Sequence, residues 1–451
     1  MQMTAREIAE ACGGVLLCGN ENTVVTSVST DSRRISAGAL FVPLKGERTD
    51  AHMYIDAVFS AGAAATLTQN DTKKLDVHPW ISVPNTEVAL QKIASAYRSR
   101  FHIPVVGITG SVGKTTTKEM VALALSSSYR VMKTEGNQNS QVGLPLTLFR
   151  LEEGDEAAVI EMGMSDFGEM SRLCSMARPK YAVMTNIGIS HIQQLKTQEN
   201  ILKEKLHITD CFDADSILFL NGQDPFLAGL REKLPHIRKV YFGTEPWCEY
   251  RAQEIESTEK GVRFRMIANG VSVCVELPVP GFHNVLNALA GLSVTHSLGG
   301  DVFAASRALS QYEPPAMRQQ IHKVRGITLI DDSYNASPDA LRSSLQVLGS
   351  FSGRKIAVLA DMLELGEFEE AAHRQVGKMA AEAGVDLLVT IGERARWIAE
   401  EAKACHIRDC VSFSENSETA SYLKEIVKEG DVLLVKGSRS MHTDEIVRAF
   451  L

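Results

Sequence analysis

A glycine-bearing segment near residue 110 has the residue types needed to bind a nucleotide phosphate. Glycines let backbone N–H groups converge on phosphate oxygens, and a following helix N-terminus adds a favourable dipole. A lysine in such a loop reaches the terminal phosphates, and the hydroxyl beside it reaches Mg²⁺. Ile108 stands where the strict pattern G-x-x-x-x-G-K-S/T has glycine, so this loop is a variant. The predicted phosphate-binding residues are Gly110, Ser111, Gly113, Lys114, Thr115 and Thr116.

Three polar residues further along the chain could complete a metal or catalytic site. Glu161 ends the apolar run AAVIEM, where a carboxylate suits Mg²⁺, although a surface glutamate is the alternative. His191, in TNIGISHIQQL, follows a second strand end and is either functional or structural. Lys205, in ENILKEKLHI, is either a site residue or one charge of a Glu–Lys pattern on a helix surface.

The elements that must position these residues alternate between strands and helices. A helix is predicted at about 114–127, directly after the phosphate loop, and a β-rich patch at 262–277 precedes another helix. Alternation of this kind predicts a mostly parallel sheet covered by helices. Strands of this central region are predicted at 103–108, 157–162, 181–187 and 216–221.

A second α/β unit is predicted after Pro314-Pro315, which form a natural linker. Four apolar runs alternate there with four helical stretches, as in a doubly wound fold. The strands are predicted at 327–332, 355–361, 385–391 and 431–437, and the helices at about 338–350, 368–383, 393–404 and 417–428.

Length and composition restrict the class of protein. A chain of 451 residues suggests about three domains, and a net charge of -8 provides no general basic field for nucleic acid or an anionic membrane. The eight cysteines include no C-x-x-C pair, which is typical of reduced thiols rather than of a disulfide framework or zinc site. Since no apolar run approaches the length of a membrane span and no signal peptide is recognisable, we expect a cytoplasmic protein.

Taken together, the motifs resemble those of the Mur ligase family of peptidoglycan precursor synthesis. Each motif is weak alone, but their order and spacing agree over essentially the whole chain. They are TDSRRISAGALFVPLKGERTDAH (30–52), TGSVGKTTTKEM (109–120), EMGMSDFGE (161–169), TNIGISH (185–191), GFHNVLNALA (281–290), DDSYNASP (331–338) and VKGSRSM (435–441).

The resemblance implies an ATP-dependent, ADP-forming amide ligase that activates a carboxylate as an acyl phosphate. It implies a UDP-sugar-binding domain at 1–84, a central ATP-binding domain at 85–314 and a Rossmann-like domain at 315–451. DDSYNASP and the GER-x-D-x-H segment at 46–52 favour the members that add D-alanyl-D-alanine to a UDP-N-acetylmuramoyl-tripeptide. ATP, two Mg²⁺ ions and a monomeric protein are expected, with no nucleic-acid or membrane partner.

The resemblance also implies residue roles. Lys114, His191 and Lys205 would be catalytic, and Lys205 would carry a carbamate formed with CO₂. Thr115, Glu161, His191 and Lys205 would hold metal. The expected contacts to the adenine and phosphates of ATP outside the loop are Asn284, Asn287, Arg318, Asp332 and Tyr334. The expected residues for the other substrates are Ser32, Arg33, Lys45, Asn139, Asn335, Lys436 and Ser438.

The chain departs from the family pattern at three positions and in its tail, which reads SMHTDEIV (440–447) rather than the usual basic form, and alternative functions stay open. Lys196 and Ala51 stand where relatives commonly have glycine, and Ser140 replaces an expected asparagine. The alternatives are another amide ligase on the same scaffold (folylpolyglutamate synthetase-like, or adding a single amino acid), a P-loop kinase or switch, and a nucleotide-binding regulatory protein.

Overall fold

Three sheets follow one another along the chain in the computed structural model, which describes residues 1–46, 49–70 and 76–451. They contain five, nine and six strands, and a two-stranded ribbon accompanies the first. The predicted α/β class with parallel-rich sheets is therefore confirmed. Each large sheet lies within one of the predicted segments 1–84, 85–314 and 315–451, which are called the first, central and third regions below. The boundaries of these regions stay a prediction.

The first sheet has the strand order β2-β7-β6-β5-β4, and only the β2–β7 pair is antiparallel. Asn85 caps the N-terminus of α3 and accepts hydrogen bonds from the backbone N–H groups of Glu87 and Val88. The elements of this region are β1 (Met3–Thr4), α1 (Ala5–Cys12), β2 (Val15–Cys18), β3 (Val24–Val25), β4 (Ser27–Ser29), β5 (Ala39–Phe41), α2 (Ile55–Ser60), β6 (Ala65–Thr68), β7 (Trp80–Ser82) and α3 (Thr86–Arg98).

The central sheet is parallel from β9 to β14 and ends in the antiparallel strands β15 and β16, in the order β16-β15-β14-β13-β12-β11-β8-β10-β9. Its strands and helices are β8 (Val105–Thr109), α4 (Lys114–Leu125), β9 (Val131–Lys133), α5 (Gly143–Leu148), β10 (Ala157–Glu161), α6 (Glu169–Ala177), β11 (Tyr181–Met184), α7 (Ile192–Leu195), α8 (Gln198–Leu206), β12 (Ile217–Asn221), α9 (Pro225–Ala228), β13 (Arg238–Gly243), β14 (Tyr250–Thr258), β15 (Gly261–Ala268), β16 (Val271–Leu277), α10 (Phe282–Ser297) and α11 (Val302–Leu309).

The third sheet has the order β17-β18-β22-β19-β20-β21, and only β17 runs antiparallel to its neighbour. Its strands and helices are β17 (Gln320–Val324), β18 (Ile327–Asp331), α12 (Pro338–Gly349), β19 (Lys355–Ala360), α13 (Glu369–Glu382), β20 (Leu387–Ile391), α14 (Arg396–Ala404), β21 (Asp409–Phe413), α15 (Asn416–Ile426), β22 (Val432–Lys436) and α16 (Asp444–Phe450).

The predicted strands and helices of the last two regions are confirmed to within a few residues, whereas several strands were missed. The missed strands include β9, β17 and β21, each of which forms an edge of its sheet. An edge strand is half solvated and lacks a long apolar run, so its periodicity is weak. All eight cysteines are unpaired, as the sequence predicted. Among the described residues, every helix is too short or too polar to traverse a bilayer.

Lys196 adopts a backbone conformation that explains why glycine suits this position. Its φ is 71° and its ψ is -42°, and the Thr197 N–H donates to the Leu195 carbonyl oxygen at 2.9 Å. This hydrogen bond closes a γ-turn with positive φ, a strained geometry for any residue with a Cβ. The turn joins α7 to α8 and so positions the helix that carries Lys205.

We expect Lys196→Gly to raise the free energy of unfolding by about 0.5–1 kcal/mol, because relief of strain outweighs the entropy that glycine adds to the unfolded chain. Chemical denaturation of the purified protein measures this change. Lys203→Gly in the neighbouring helix is the matched control and should destabilise by about 1 kcal/mol. Equal destabilisation by both variants would contradict the interpretation that the backbone at Lys196 is strained.

Candidate active site

The candidate site lies at the carboxyl ends of the central strands. β8 pairs with β10 on one side and with β11 on the other, so the order of the strands reverses beside β8. Open parallel sheets bind ligands at such a reversal, because the loops leaving adjacent strands diverge and leave a crevice. A cleft of about 1270 Å³ opens here between the central and third sheets.

The phosphate loop connects β8 to the N-terminus of α4, as predicted. Gly113 has a φ of 82°, a conformation available to glycine at little cost, and it directly precedes the first helical residue. The Lys114 Nζ donates to the Gly110 carbonyl oxygen at 2.8 Å and lies 3.3 Å from that of Ser111. Thr115 is buried below the loop. The predicted loop residues other than Gly110 line the cleft directly.

Lys205 is buried against the same loop rather than displayed on a helix surface. Its Nζ donates to the Gly110 carbonyl oxygen at 3.1 Å, so two lysine amines converge on one acceptor. Burial, reinforced by Lys114, holds the pKa of Lys205 well below its usual range. Glu204 does not form the predicted helical pair, since its carboxylate accepts from the backbone N–H groups of Gly168 and Met170. The surface alternative for Lys205 is therefore wrong.

Glu161 ends β10 with its side chain buried at the edge of the cleft. One oxygen, Oε1, accepts from the Asn139 amide at 2.7 Å. The other, Oε2, is buried without a hydrogen-bond partner among the described residues, and the Lys118 Nζ lies 4.0 Å away. A buried oxygen with spare lone pairs fits a hard cation. The alternative of an exposed strand-end glutamate is wrong.

His191 lies in the cleft at the start of α7, half-buried and with a φ of 61°. Its Nδ1 is 2.9 Å from Glu364 Oε2 in the third region. Burial, followed by the charge of Lys114, lowers the pKa of His191, although Glu364 opposes this. A neutral imidazole is the form that binds metal.

The third region contributes a second wall to the cleft. The Arg318 guanidinium stacks 3.9 Å from the centroid of the Tyr334 ring. The Lys436 Nζ donates to Asp332 Oδ2 at 2.5 Å, which holds the carboxylate after β18 against the end of β22. Two further predicted residues, Asn335 and Ser438, also line this wall.

The two predicted adenine residues lie on α10, beside the phosphate loop. Asn287 Oδ1 accepts from the Thr117 hydroxyl at 2.9 Å, and its amide is 3.3 Å from Asn284 Oδ1. Asn284 in turn donates to the Pro280 carbonyl oxygen at 2.8 Å. Both asparagines are buried and line the cleft, where their polar atoms connect the loop helix to α10.

Three predicted substrate residues lie outside the cleft, in the first region. Arg33 is exposed and pairs with Asp31 after β4, and Ser32 lies beside it. Lys45 lines a separate polar pocket with His52 and Asp50. Of the GER-x-D-x-H segment, Glu47 and Arg48 lie outside the described residues.

Sequence reasoning missed the residues that hold the loop from below. Asn186 accepts from the Val112 N–H at 2.9 Å and donates to the Val112 carbonyl oxygen at 3.0 Å, so it holds the two peptide groups that flank Val112. The Thr185 hydroxyl donates to the same carbonyl oxygen at 2.6 Å. Both residues belong to TNIGISH. Two polar residues directly after an apolar strand were the sequence signal that could have identified them as site residues.

Lys118 was also missed, although it is fully buried one turn along α4 from Lys114. Its Nζ donates to the Thr134 carbonyl oxygen at 2.7 Å and pairs with Glu119 at 2.9 Å. Among the described residues, no three His, Cys, Asp or Glu side chains form a group that could enclose a metal by themselves. A metal here would therefore need hydroxyl, phosphate or modified-lysine oxygens as well.

The fold and the cleft define a P-loop nucleotide-binding protein of the α/β class. Three profiles match the chain: Mur ligase family, catalytic domain, at residues 24–98; Mur ligase middle domain, at 108–295; and Mur ligase, glutamate ligase domain, at 317–439. The chain is 37% identical to UDP-N-acetylmuramoyl-tripeptide--D-alanyl-D-alanine ligase of Bacillus subtilis (strain 168), covering 99% of this chain and 98% of the relative.

Solved structures agree with these matches. MurF from Acinetobacter baumannii superposes with a TM-score of 0.92 at 28% identity, covering 100% of this chain and 99% of that one. MurF ligase from Thermotoga maritima in complex with ADP gives 0.84 at 30% identity, covering 94% and 97%. The chain belongs to the Mur ligase family.

Proposed function

We propose that this protein joins D-alanyl-D-alanine to UDP-N-acetylmuramoyl-tripeptide with ATP, releasing ADP and phosphate, in peptidoglycan precursor synthesis. A relative that is named for this activity matches 99% of the chain. The observation that carries the proposal is the convergence of Lys114 and Lys205 on the Gly110 carbonyl oxygen, beside the buried carboxylate of Glu161. This arrangement combines a phosphate loop with groups suited to a metal-dependent phosphoryl transfer.

In the proposed reaction, the terminal carboxylate of the tripeptide attacks the γ-phosphorus of ATP, and ADP leaves. The amine of D-alanyl-D-alanine then attacks the acyl phosphate, the C–O bond to phosphate breaks, and an amide forms with loss of a proton. The loop N–H groups and the N-terminus of α4 hold the phosphates. Lys114 offsets charge on the transferred group, so the protein supplies position and electrostatics rather than a nucleophile.

The proposed metal ligands are Thr115, Glu161, His191 and Lys205, for two Mg²⁺ ions. Bound Mg²⁺ would neutralise charge on the phosphates and orient them for in-line attack. The unpartnered Oε2 of Glu161 supports this assignment, and so does the lowered pKa of His191, whose main cause is burial. Asn139, which donates to Oε1, holds the carboxylate in one orientation.

Lys205 is proposed to act as a carbamate. Its lowered pKa, caused mainly by burial and then by Lys114, favours the neutral amine, which is the form that attacks CO₂. The N–C bond forms, one proton is lost, and the side chain gains a carboxylate. This change places an anion beside Lys114, which attracts it, and the carbamate oxygens can also ligate metal.

The third region is proposed to close the site over ATP and to present the dipeptide. Arg318, Asp332 and Tyr334 would contact the nucleotide across the cleft from Asn284 and Asn287. The groups proposed for the dipeptide and the tripeptide carboxylate are Asn335, Lys436, Ser438 and Asn139, and those proposed for the UDP-sugar are Ser32, Arg33 and Lys45. Closure would exclude water, which would otherwise hydrolyse the acyl phosphate.

We also propose that the protein acts as a monomer in the cytoplasm. The eight unpaired thiols suit a reducing compartment.

Phosphate release measured with purified protein tests the proposed function. We expect release to require ATP, a UDP-N-acetylmuramoyl-tripeptide and D-alanyl-D-alanine together, with formation of the pentapeptide. Release with a single amino acid or glutamate in place of the dipeptide would favour a different ligase of the same scaffold. ATP turnover without any amide product would favour a kinase or switch, and nucleotide binding without turnover would favour a regulatory protein.

A further inference from the structure

Glu364 and His191 meet across the cleft although they belong to different sheets. Glu364 lies in the loop after β19, and His191 lies in the loop after β11. The Glu364 Oε2 atom is 2.9 Å from the Nδ1 atom of His191. The contact therefore connects the third region to the proposed metal residue of the central region.

The backbone on both sides of this contact is in an unusual conformation. His191 has a φ of 61° and Glu364 a φ of 64°, and residues other than glycine rarely adopt such positive φ angles. Residues held in such conformations cluster at functional sites, where the surrounding structure imposes them. Gly366 shows how the loop is held: a Cβ at this position would lie 3.3 Å from the Gln193 Cγ, so the loop packs closely on α7.

An imidazole has two nitrogens, and a partner on one of them decides what the other can do. A carboxylate at Nδ1 leaves Nε2 available to bind a metal, and carboxylate–histidine–metal arrangements of this kind are common. In the structure Nδ1 makes a close contact that is not aligned as a hydrogen bond. Contacts of this kind in ligand-free sites often become aligned when the ligand binds.

We propose that Glu364 is a positioning residue: by docking on His191 it orients the imidazole, so that one metal site is completed only when the third region closes on the central sheet. The inference rests on the proposed function, because it takes His191 as a metal ligand. It assigns to the Glu364 carboxylate a role in metal affinity, and it makes metal binding and closure of the cleft mutually dependent.

Manganese binding, followed by electron paramagnetic resonance, tests this role without turnover. Mn²⁺ is titrated into the full-length protein with a non-hydrolysable ATP analogue, for the wild type, Glu364→Gln and Glu367→Gln. Glu367 is an exposed carboxylate in the same loop and serves as the matched control. We expect Glu364→Gln to weaken one Mn²⁺ site by about tenfold, with the other site unchanged. Glu367→Gln should match the wild type.

Two further measurements separate positioning from a general structural effect. Glu364→Asp keeps the charge but shortens the reach, so it should weaken the same site less than Glu364→Gln does. In turnover assays, Glu364→Gln should shift the Mg²⁺ dependence to higher concentration and recover at saturating Mg²⁺. The thermal unfolding midpoint should stay at the wild-type value.

Unchanged Mn²⁺ affinity in Glu364→Gln would overturn the inference, as would an activity loss that no Mg²⁺ concentration restores. These outcomes are distinct from failure of the proposed function. Mn²⁺ binding is measured without the tripeptide or the dipeptide, whereas the proposed function fails when the wild-type protein makes no amide.

Discussion

Lys114→Met is expected to reduce ATP-driven phosphate release by about 10³-fold without destabilising the fold. The lost amine is the group proposed to offset charge on the transferred phosphoryl. Burial, with a contribution from Arg318, lowers the pKa of Lys114, although Glu161 opposes this. The ionised amine is thus less favourable in the folded than in the unfolded chain. Its removal should leave the unfolding midpoint unchanged or slightly raised.

A coupled phosphate assay and thermal unfolding, performed on the same preparation, measure both effects. Lys180→Met is the control, because Lys180 is half-exposed before β11 and pairs only loosely with Asp215, at 3.8 Å. It should retain wild-type turnover. Near-normal turnover in Lys114→Met would remove this lysine from the reaction, whereas a large drop in the unfolding midpoint would show that its role is structural.

Lys205→Ala is expected to lose about 10²-fold or more in turnover and to regain part of it when a small carboxylate such as acetate is added. The alanine leaves space beside the Gly110 carbonyl oxygen, and an acetate ion there would supply the oxygens proposed for the carbamate. The wild type should lose activity in buffer depleted of CO₂ and recover it with bicarbonate, because the carbamate forms reversibly.

Turnover at increasing acetate and bicarbonate concentrations measures this prediction. Lys203→Ala is the matched control: Lys203 lies on the same helix but is exposed, so its removal should change neither turnover nor the response to acetate. Full activity of Lys205→Ala without any addition would exclude Lys205 from the site. If Lys205→Ala lost turnover that acetate did not restore, and wild-type turnover did not depend on CO₂, Lys205 would act as an unmodified lysine.

The local parts of this protein were predictable from its sequence. The phosphate loop lies between β8 and α4 because an apolar run, a glycine-bearing turn and a helix-forming stretch are consecutive in the chain. Glu161 and His191 could be placed near it because strand ends of a parallel sheet meet at one edge. The edge strands β17 and β21 escaped prediction, since solvent on one side leaves them without an apolar pattern.

Only the tertiary structure decided the role of residues whose environment comes from distant segments. Spacing along its helix makes Lys205 look like a surface charge, yet the fold buries it against the phosphate loop, beside Lys114. The contact between Glu364 and His191 likewise depends on how two sheets face each other. Backbone preferences and apolar periodicity depend on a few neighbouring residues, so they can be predicted from the sequence. Burial, desolvation and the pairing of charges across a cleft arise only after the chain has folded.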